Sequence, residues 1–316
     1  HAAQRRCVAA GALPDGGDRP LELQRDACAD PPRLVEAARL EAGPFTARPI
    51  GEDDGARVAA FLDGRQDSRV AGHVGLVPIV WGHVGAVVRR RVDRQLHTWP
   101  AGLRQRSAMW APRAAVPAAV WDRLAADGDV VDLTTDAPET LLHPMAWTDR
   151  AYHVQEAREE LERGLADAWA GAPEGVLYVD GGIPKAERVA RSPDVLGVVK
   201  SHRSLYVPAD ALAVLAALVP GQRTTAFEVQ SARRTAVASW YARLHDARGR
   251  APLFGLVRLE AAMLEGEAPH SLTERADRLT RMVLAERTPL ALPDPRWAVM
   301  AYGIRDCEQV LRAVMG

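Results

Sequence analysis

The amino-acid sequence predicts an α/β protein with a mixed sheet that is flanked by helices. Two apolar segments with strand character each end in Asp-Gly, one at Asp63 and the other at Asp180. Between them, residues 150–170 contain no proline and place Val154, Leu161 and similar side chains on one face, as in a long amphipathic helix. Because strands and helices that alternate along a chain form layered domains, we expect one sheet with helices packed on it.

The composition is that of an ordinary globular protein. Hydrophobic residues make up 47% of the 316 residues and charged residues 26%, which argues against disorder and coiled coil. The longest apolar stretch, residues 74–88, is interrupted by Pro78 and Gly82, so no membrane span is predicted. The three cysteines form neither a paired framework nor a zinc-ligand spacing, and the first residues lack the apolar core of a signal peptide. We therefore expect a cytoplasmic protein.

The chain divides into two regions by pattern. Residues 1–55 are rich in proline, glycine and aspartate around a helix predicted at 32–42, and they indicate a small helical or irregular appendage. Residues 56–316 are expected to form the main domain. Its first strand is predicted at 56–63 and ends in a tight turn at Asp63-Gly64.

A hairpin is predicted directly after this strand. Two segments rich in valine, 74–80 and 84–92, are separated by Trp81-Gly82-His83, which resembles a turn. Three consecutive antiparallel strands result. Residues 98–116 contain several prolines and glycines and are expected to be irregular.

Further elements are assigned by the same patterns. The sequence predicts helices at 118–126, 209–218, 272–286 and 296–315, and strands at 175–180, 195–200, 224–229, 237–244 and 253–260. Neither a Gly-x-Gly-x-x-Gly motif nor a Walker-type loop is present, which disfavours dehydrogenase and nucleotide-driven motor chemistry.

The candidate site is a set of carboxylates. The order of a strand with Asp63, a hairpin, a helix with several glutamates and a strand with Asp180 resembles the RNase H-like arrangement. Two divalent ions about 4 Å apart need several hard oxygen ligands around one point, and carboxylates on strand ends and a facing helix supply them. Among the helix glutamates we favour Glu162, because it lies at the margin of the apolar face, over Glu159 on the same side of the helix. Glu156 and Glu160 are assigned to the solvated face.

Charge gives no global attraction to nucleic acid. The net charge is −1, so any such attraction has to be local, with Arg89 to Arg94 as one candidate patch. Only two of the 40 basic residues are lysine, Lys185 and Lys200. In a chain so rich in arginine, a lysine near a candidate site is informative, since its ammonium acts as a point charge.

Three segments together resemble the successive motifs of NurA-type nucleases. They are Phe61-Leu62-Asp63-Gly64-Arg65, Leu177-Tyr178-Val179-Asp180-Gly181-Gly182 and Leu196-Gly197-Val198-Val199-Lys200-Ser201. The likeness covers roughly residues 56–316. The chain departs from the family in two respects: the serine after each Asp-Gly is missing, and Ala301-Tyr302 stands where the family has Ala-His.

The resemblance implies an RNase H-like fold and a DNA nuclease that depends on Mn²⁺ or Mg²⁺. It also implies a homodimer and a hexameric HerA-type ATPase as partner, in DNA processing, repair or antiviral defence. Carried over to this chain, Asp63, Glu162 and Asp180 would be metal ligands and catalytic residues, with Lys200 as a catalytic contact to phosphate. We expect nucleic acid to contact Arg65, Arg89, Arg91, Lys200, His202 and Arg203.

Two alternatives stay open from the sequence. The missing serine and histidine positions are compatible with a catalytically diverged subunit that binds nucleic acid or serves in assembly. Strand-end aspartates also serve metal-dependent phosphohydrolases that act on small phosphate esters.

Overall fold

The computed structural model describes residues 2–14, 31–134, 153–208, 211–231, 234–287 and 296–316. Within these ranges the α-helices are, in chain order, α1 (Ala2–Ala9), α2 (Ala118–Ala126), α3 (His153–Gly171), α4 (Leu212–Ala217), α5 (Pro269–Ala285) and α6 (Tyr302–Met315). No helix in this part of the chain is long and apolar enough to cross a membrane.

The strands form one large mixed sheet and one small sheet. They are, in chain order, β1 (Leu13–Pro14), β2 (Arg33–Val35), β3 (Ala47–Pro49), β4 (Ala60–Val74), β5 (Val77–Val92), β6 (Gln95–Ala111), β7 (Val130–Asp132), β8 (Leu177–Asp180), β9 (Val195–Val199), β10 (Ser204–Tyr206), β11 (Gln222–Thr224), β12 (Phe227–Ser231), β13 (Arg234–Arg243) and β14 (Leu256–Ala262). In the described part of the chain the large sheet has 12 strands, and β2 pairs with β10 in a separate two-stranded sheet.

The centre of the large sheet has the predicted strand order. Neighbouring strands run β6-β5-β4-β8-β9, in which β4, β5 and β6 are antiparallel while β4, β8 and β9 are parallel. Helix α3 lies between the hairpin strands and β8 in the chain and packs on β4 and β5. This is the RNase H-like arrangement of a mixed sheet flanked by helices, so the predicted fold class is confirmed.

Strand β4 is buried on both faces, which explains its uninterrupted apolar start. Phe61 packs in a core with residues of α5 and α6, such as Leu279 and Ile304. Leu62, one position further, packs in a second core with Leu165 and other residues of α3. Successive residues of β4 therefore face helices on opposite sides of the sheet. The same alternation determines which side chains after Leu62 lie on the same face.

The predicted hairpin turn was wrong, although three antiparallel strands are present. Trp81-Gly82-His83 lies inside β5 and pairs on both sides, with β4 and with β6. The chain reverses instead around Gly75, where φ is +59°, and at Asp93 and Arg94, where φ is 49° and 67°. Positive φ at two central residues is typical of a two-residue hairpin turn. The segment predicted as irregular, 98–116, is mostly part of β6.

The predicted strand end at Asp63 was also wrong, because β4 continues through Asp63 to Val74. Asp63 pairs with Val87 and Gly64 with Ala86, so β5 supplies the backbone partners for this stretch. The strand that ends here is the parallel neighbour β8, which pairs with β4 only as far as Leu62. The polar residues that directly follow Asp63, which resembled a turn, continue β4 as an extended strand that pairs with β5 on one side.

The described residues among the first 55 contribute strands to the large sheet at two places. Strand β1 pairs with β4, and β3 pairs with β11. The helix predicted at 32–42 is absent: β2 and an irregular segment take its place. The buried carboxylate of Glu41 accepts hydrogen bonds from Arg223 and from the backbone of Ala226, and these long-range contacts override the local helical pattern. The domain boundary at residue 55 stays a prediction.

Most of the remaining predicted elements are confirmed with shifted ends. Helix α2 has the predicted bounds, and α3 matches the predicted long helix over its described residues, with 150–152 outside the described ranges. The later helices and strands match α4, α5, α6, β9, β13 and β14, with 209–210 again outside the described ranges. The predicted strand at 224–229 is divided between β11 and β12, both of which pair with β13.

Candidate active site

Asp63 and Asp180 occupy adjacent positions on neighbouring parallel strands. Leu62 of β4 pairs in register with Val179 of β8, so the next residue on each strand is an aspartate. Val87, which faces Asp63 across the strand pair, and Tyr178, two residues before Asp180, both lie in the core on the α5 and α6 side. The period of two along a strand therefore directs both carboxylates to that side, near the end of β8.

Glu162 lies beside Asp63 but on the α3 face of β4, to which Leu62 and Gly64 point. A Cβ atom at Gly64 would lie 1.9 Å from Glu162 Oε1, so the carboxylate occupies the space that any side chain at position 64 would fill. The Glu162 side chain is 13% exposed, in contrast to Glu160, which is 64% exposed. Of the glutamates on α3, Glu162 is held against β4 at Gly64, whereas Glu156 and Glu160 lie at the surface.

Two cations of the chain itself contact these carboxylates. Lys200 Nζ lies 2.7 Å from Asp180 Oδ1, with both side chains about one-fifth exposed. The Arg158 guanidinium donates to Glu162 Oε1 at 2.6 Å from one turn earlier on α3. In the described part of the chain no cation forms an ion pair with Asp63, although the charge of Lys200 lowers its pKa. Its Oδ1 accepts a hydrogen bond from the backbone N–H of Gly64 at 2.8 Å.

The site has excess negative charge. Burial raises the pKa of Asp63 well above its usual value, and the neighbouring charge of Asp180 raises it further. Burial also raises the pKa of Glu162 to about 7, against the opposing effect of Arg158. A carboxylate whose pKa is raised by burial and by like charges would be stabilised in its ionised form by a further cation.

The loop that follows Asp180 is held in place by β14 and β9. The buried carboxylate of Glu260 accepts a hydrogen bond from the Ile183 backbone N–H at 3.1 Å and an ion pair from Arg258 at 2.6 Å. Gly197 lets this loop pass closely over β9, since a Cβ there would lie 2.6 Å from the nitrogen of Ile183. Residues 181–183 therefore have a fixed path beside the aspartates.

A cleft opens between α3 and this loop. It has a volume of about 400 Å³, and its charged lining consists of Arg158, Glu159, Glu162, Arg163, Asp180 and Lys185. A larger cavity of about 470 Å³ lies along α3 near Trp110 and His153 and contains none of the three predicted metal ligands. The smaller cleft is therefore the one in which a substrate could reach Asp180 and Glu162.

Carboxylate oxygens are suitable ligands for a hard divalent ion, but the spacing of these three side chains does not form a metal site. Among the described residues, no group of three or more His, Cys, Asp or Glu side chains is arranged to hold a metal ion as the side chains stand. Asp180 and Glu162 are engaged by Lys200 and Arg158 instead. Ion binding would require Asp180 and Glu162 to exchange their internal cations for the metal, and Asp63 and Glu162 to release the protons that their raised pKa values favour.

The predicted nucleic-acid contacts at Arg89 and Arg91 are not supported by the structure. The guanidinium of Arg89 forms an ion pair with Asp306 and also donates to Leu96 O. Arg91 donates to both carboxylate oxygens of Glu286, at 2.9 and 2.8 Å. Both arginines join β5 to the C-terminal helices, because their strand positions face that side of the sheet.

The remaining predicted contacts differ in position. His202 turns inward: its Nε2 lies 2.9 Å from Leu256 O, and burial lowers its pKa, so the structure argues against its predicted role. Arg203 is exposed, three residues after Lys200. Arg65 is exposed on β4, two positions beyond Asp63 and on the same face of the strand.

Three contributors were missed in the sequence. Arg158 precedes Glu162 by four residues, a spacing that could have indicated the ion pair. Glu260 was noticed only as part of a strand, and its contact with the loop after Asp180 depends on the register of β14 with β9. Lys185 was noted for its rarity, but its position in the cleft follows from the path of that loop.

Comparison with known proteins adds one similarity. No protein-family model matches this chain, and no curated protein matches it. Among solved structures, the chain is similar to the crystal structure of the NurA nuclease from Sulfolobus solfataricus, with 12% sequence identity and a TM-score of 0.42. The match covers 86% of this chain and 87% of the other. The fold assignment given above rests on the strand order and register.

Proposed function

We propose that this chain is a DNA nuclease that depends on Mn²⁺ or Mg²⁺. The observation that supports the proposal is that Asp63 and Asp180 are neighbours on two parallel strands, with Glu162 held at Gly64, and that Asp180 and Glu162 line a cleft open to solvent. Buried acidic groups with raised pKa values are typical of functional sites, since a stable core would not retain them without a partner.

The three carboxylates would act as ligands, and their rigid supports suit that role. Asp63 and Asp180 are held by paired strands, and Glu162 is held over Gly64 by the packing of α3 on the sheet. A bound divalent ion would supply charge neutralisation at the scissile phosphate and lower the pKa of a water molecule. Lys200, released from Asp180, would then be placed to contact a phosphate oxygen.

Binding of DNA requires cations outside the internal ion pairs. Arg65 is exposed on the Asp63 face of β4 and is the first candidate. With a net charge of −1 the chain has little bulk attraction for DNA, so we propose that it works as a homodimer docked on a hexameric HerA-type ATPase. The Arg89 to Arg91 segment is not part of this proposal, because all three of its guanidinium groups pair with carboxylates.

A second candidate function is favoured by one observation. Lys200 and Arg158 already occupy the positions beside Asp180 and Glu162 that a metal ion would take, and Tyr302 is 53% exposed at the start of α6 where the resembling family has histidine. A catalytically diverged subunit that binds nucleic acid or serves in assembly would retain this internally neutralised arrangement.

Cleavage of labelled single- and double-stranded DNA by the purified protein distinguishes the two candidates. We expect products with Mn²⁺ or Mg²⁺ and none with EDTA. Binding without cleavage under every metal condition would support the diverged subunit. Hydrolysis of a small phosphate ester, without cleavage of DNA, would indicate a phosphohydrolase instead.

A further inference from the structure

Two elements form the walls of the cleft beside the carboxylates. One wall is α3, with Arg158 and Arg163; the other is the loop of residues 181–185, which ends in Lys185. The predicted metal ligands Asp180 and Glu162 contribute to the same lining. A ligand in this cleft would therefore contact both the acidic centre and the cations around it.

Lys185 differs from the other cations of the lining. Arg158 is held by Glu162 at 2.6 Å, and Arg163 lies 3.7 Å from Glu160. Lys185 is exposed and forms no ion pair with any carboxylate in the described part of the chain. Its ammonium is thus available for a ligand, whereas the other lysine, Lys200, is engaged by Asp180.

The position of Lys185 is fixed by its loop. Glu260 holds the backbone N–H of Ile183, two residues earlier, and Gly197 permits the close passage of residues 181–183 over β9. Pro184 restricts the backbone directly before the lysine. A cation at the end of a held loop loses less conformational freedom on binding than one on a mobile surface segment.

We propose that Lys185 binds a backbone phosphate of a single nucleic-acid strand, next to the phosphate at the carboxylates. This inference rests on the proposed function. A volume of about 400 Å³ lies at the lower end of the roughly 300 to 1,000 Å³ typical of small-ligand pockets, so the cleft takes one nucleotide unit and not a duplex. Contact from a lysine to the backbone is independent of the base, so this site is not sequence-specific.

Fluorescence anisotropy with a labelled oligothymidylate, in EDTA so that no cleavage occurs, tests the proposal. Loss of one phosphate contact lowers the log–log salt slope by about 0.7 for a single strand, so Lys185→Gln is expected to weaken binding on the order of eightfold at about 50 mM salt. Lys185→Arg is expected to retain binding. The control is Arg123→Gln, an exposed cation on α2, whose buried residues pack in a core that contains none of the predicted metal ligands, and no change is expected for it.

The outcomes separate this inference from the proposed function. Binding by the wild type with an unchanged affinity and salt slope for Lys185→Gln would overturn the role of Lys185 and leave the proposed nuclease untouched. An equal loss for Arg123→Gln would show general electrostatic attraction and also overturn it. No binding of DNA by the wild type in any form would overturn both. Duplex of the same sequence is expected to bind more weakly, and tighter binding of duplex would contradict the single-strand assignment.

Discussion

The carboxylate of Glu162 lies in the space that a side chain at Gly64 would need. Oε1 is 1.9 Å and Cδ is 2.8 Å from the position of a Cβ at residue 64, closer than any real contact allows. Gly64 follows Asp63 on β4, so the absence of its side chain lets a carboxylate from α3 pack directly against the strand beside Asp63. The glycine acts as part of the site and not as a turn residue.

Gly64→Ala should displace Glu162 and reduce metal-dependent cleavage. A displacement of about 1 Å in a catalytic group costs on the order of a hundredfold in rate, and we expect a loss of that size. The double variant Gly64→Ala with Glu162→Asp should recover part of the activity, because the shorter acid leaves room for the methyl group. Rates from single-turnover cleavage, with circular dichroism to verify folding, measure the effect. Full activity of Gly64→Ala would contradict the assigned proximity.

Stability should fall with rising pH in the absence of metal. The folded-state pKa of Glu162 is about 7, above the usual 4.5, so the folded protein binds this proton more tightly than the unfolded chain does. The free energy of unfolding therefore decreases as pH rises from about 4.5 to about 7, by on the order of 3 kcal/mol from this group. Burial is the main cause of this raised pKa; Arg158 opposes it, and the charges of Glu159 and Asp180 add to it.

Denaturant unfolding in EDTA at several pH values measures this dependence. Glu162→Gln should remove the part of the pH dependence of stability that comes from residue 162. Glu159→Gln, at a side chain that is 52% exposed, should change this pH dependence little. A slope that is the same in wild type and Glu162→Gln would show that Glu162 does not titrate in this range.

Arg91 should contribute to stability and not to DNA binding. Arg91→Met leaves the carboxylate of Glu286, which is 5% exposed, without its bidentate cation. Because Arg91 is itself partly exposed, we expect a loss of about 2 kcal/mol, below the roughly 3 to 5 kcal/mol of a fully buried pair. Urea unfolding and anisotropy with labelled DNA give the two readouts. If Arg91→Met weakened DNA binding and left stability unchanged, the result would support the DNA contact that the sequence predicted for Arg91.

The sequence was sufficient for elements whose pattern is local. Helix α3 and strand β8 have clear periodicity and clear ends, and the position of Glu162 at the margin of the apolar face indicated which glutamate turns towards the sheet. The order of these elements also led to the correct strand arrangement, because parallel strands joined through a helix have few ways to pair.

The sequence was insufficient where partners are distant in the chain. Whether Asp63 ends a strand depends on β8, which stops beside it, and not on the residues that follow. The arginines of β5 resembled a DNA-binding patch, but Asp306 and Glu286, which hold two of them, come more than 190 positions later. A charge pattern shows which cations are present and not which are already paired.

Asp180→Asn tests the central claim most directly. The amide preserves the shape of residue 180 and removes the charge that would hold a divalent ion, so we expect Mn²⁺-dependent cleavage of labelled DNA to be abolished. Thermal unfolding is expected to stay close to that of the wild type, and Glu160→Gln, on the exposed face of α3, is the matched control with unchanged cleavage. Cleavage by Asp180→Asn at the wild-type rate, with unchanged stability, would contradict a carboxylate-bound metal site at Asp63, Glu162 and Asp180.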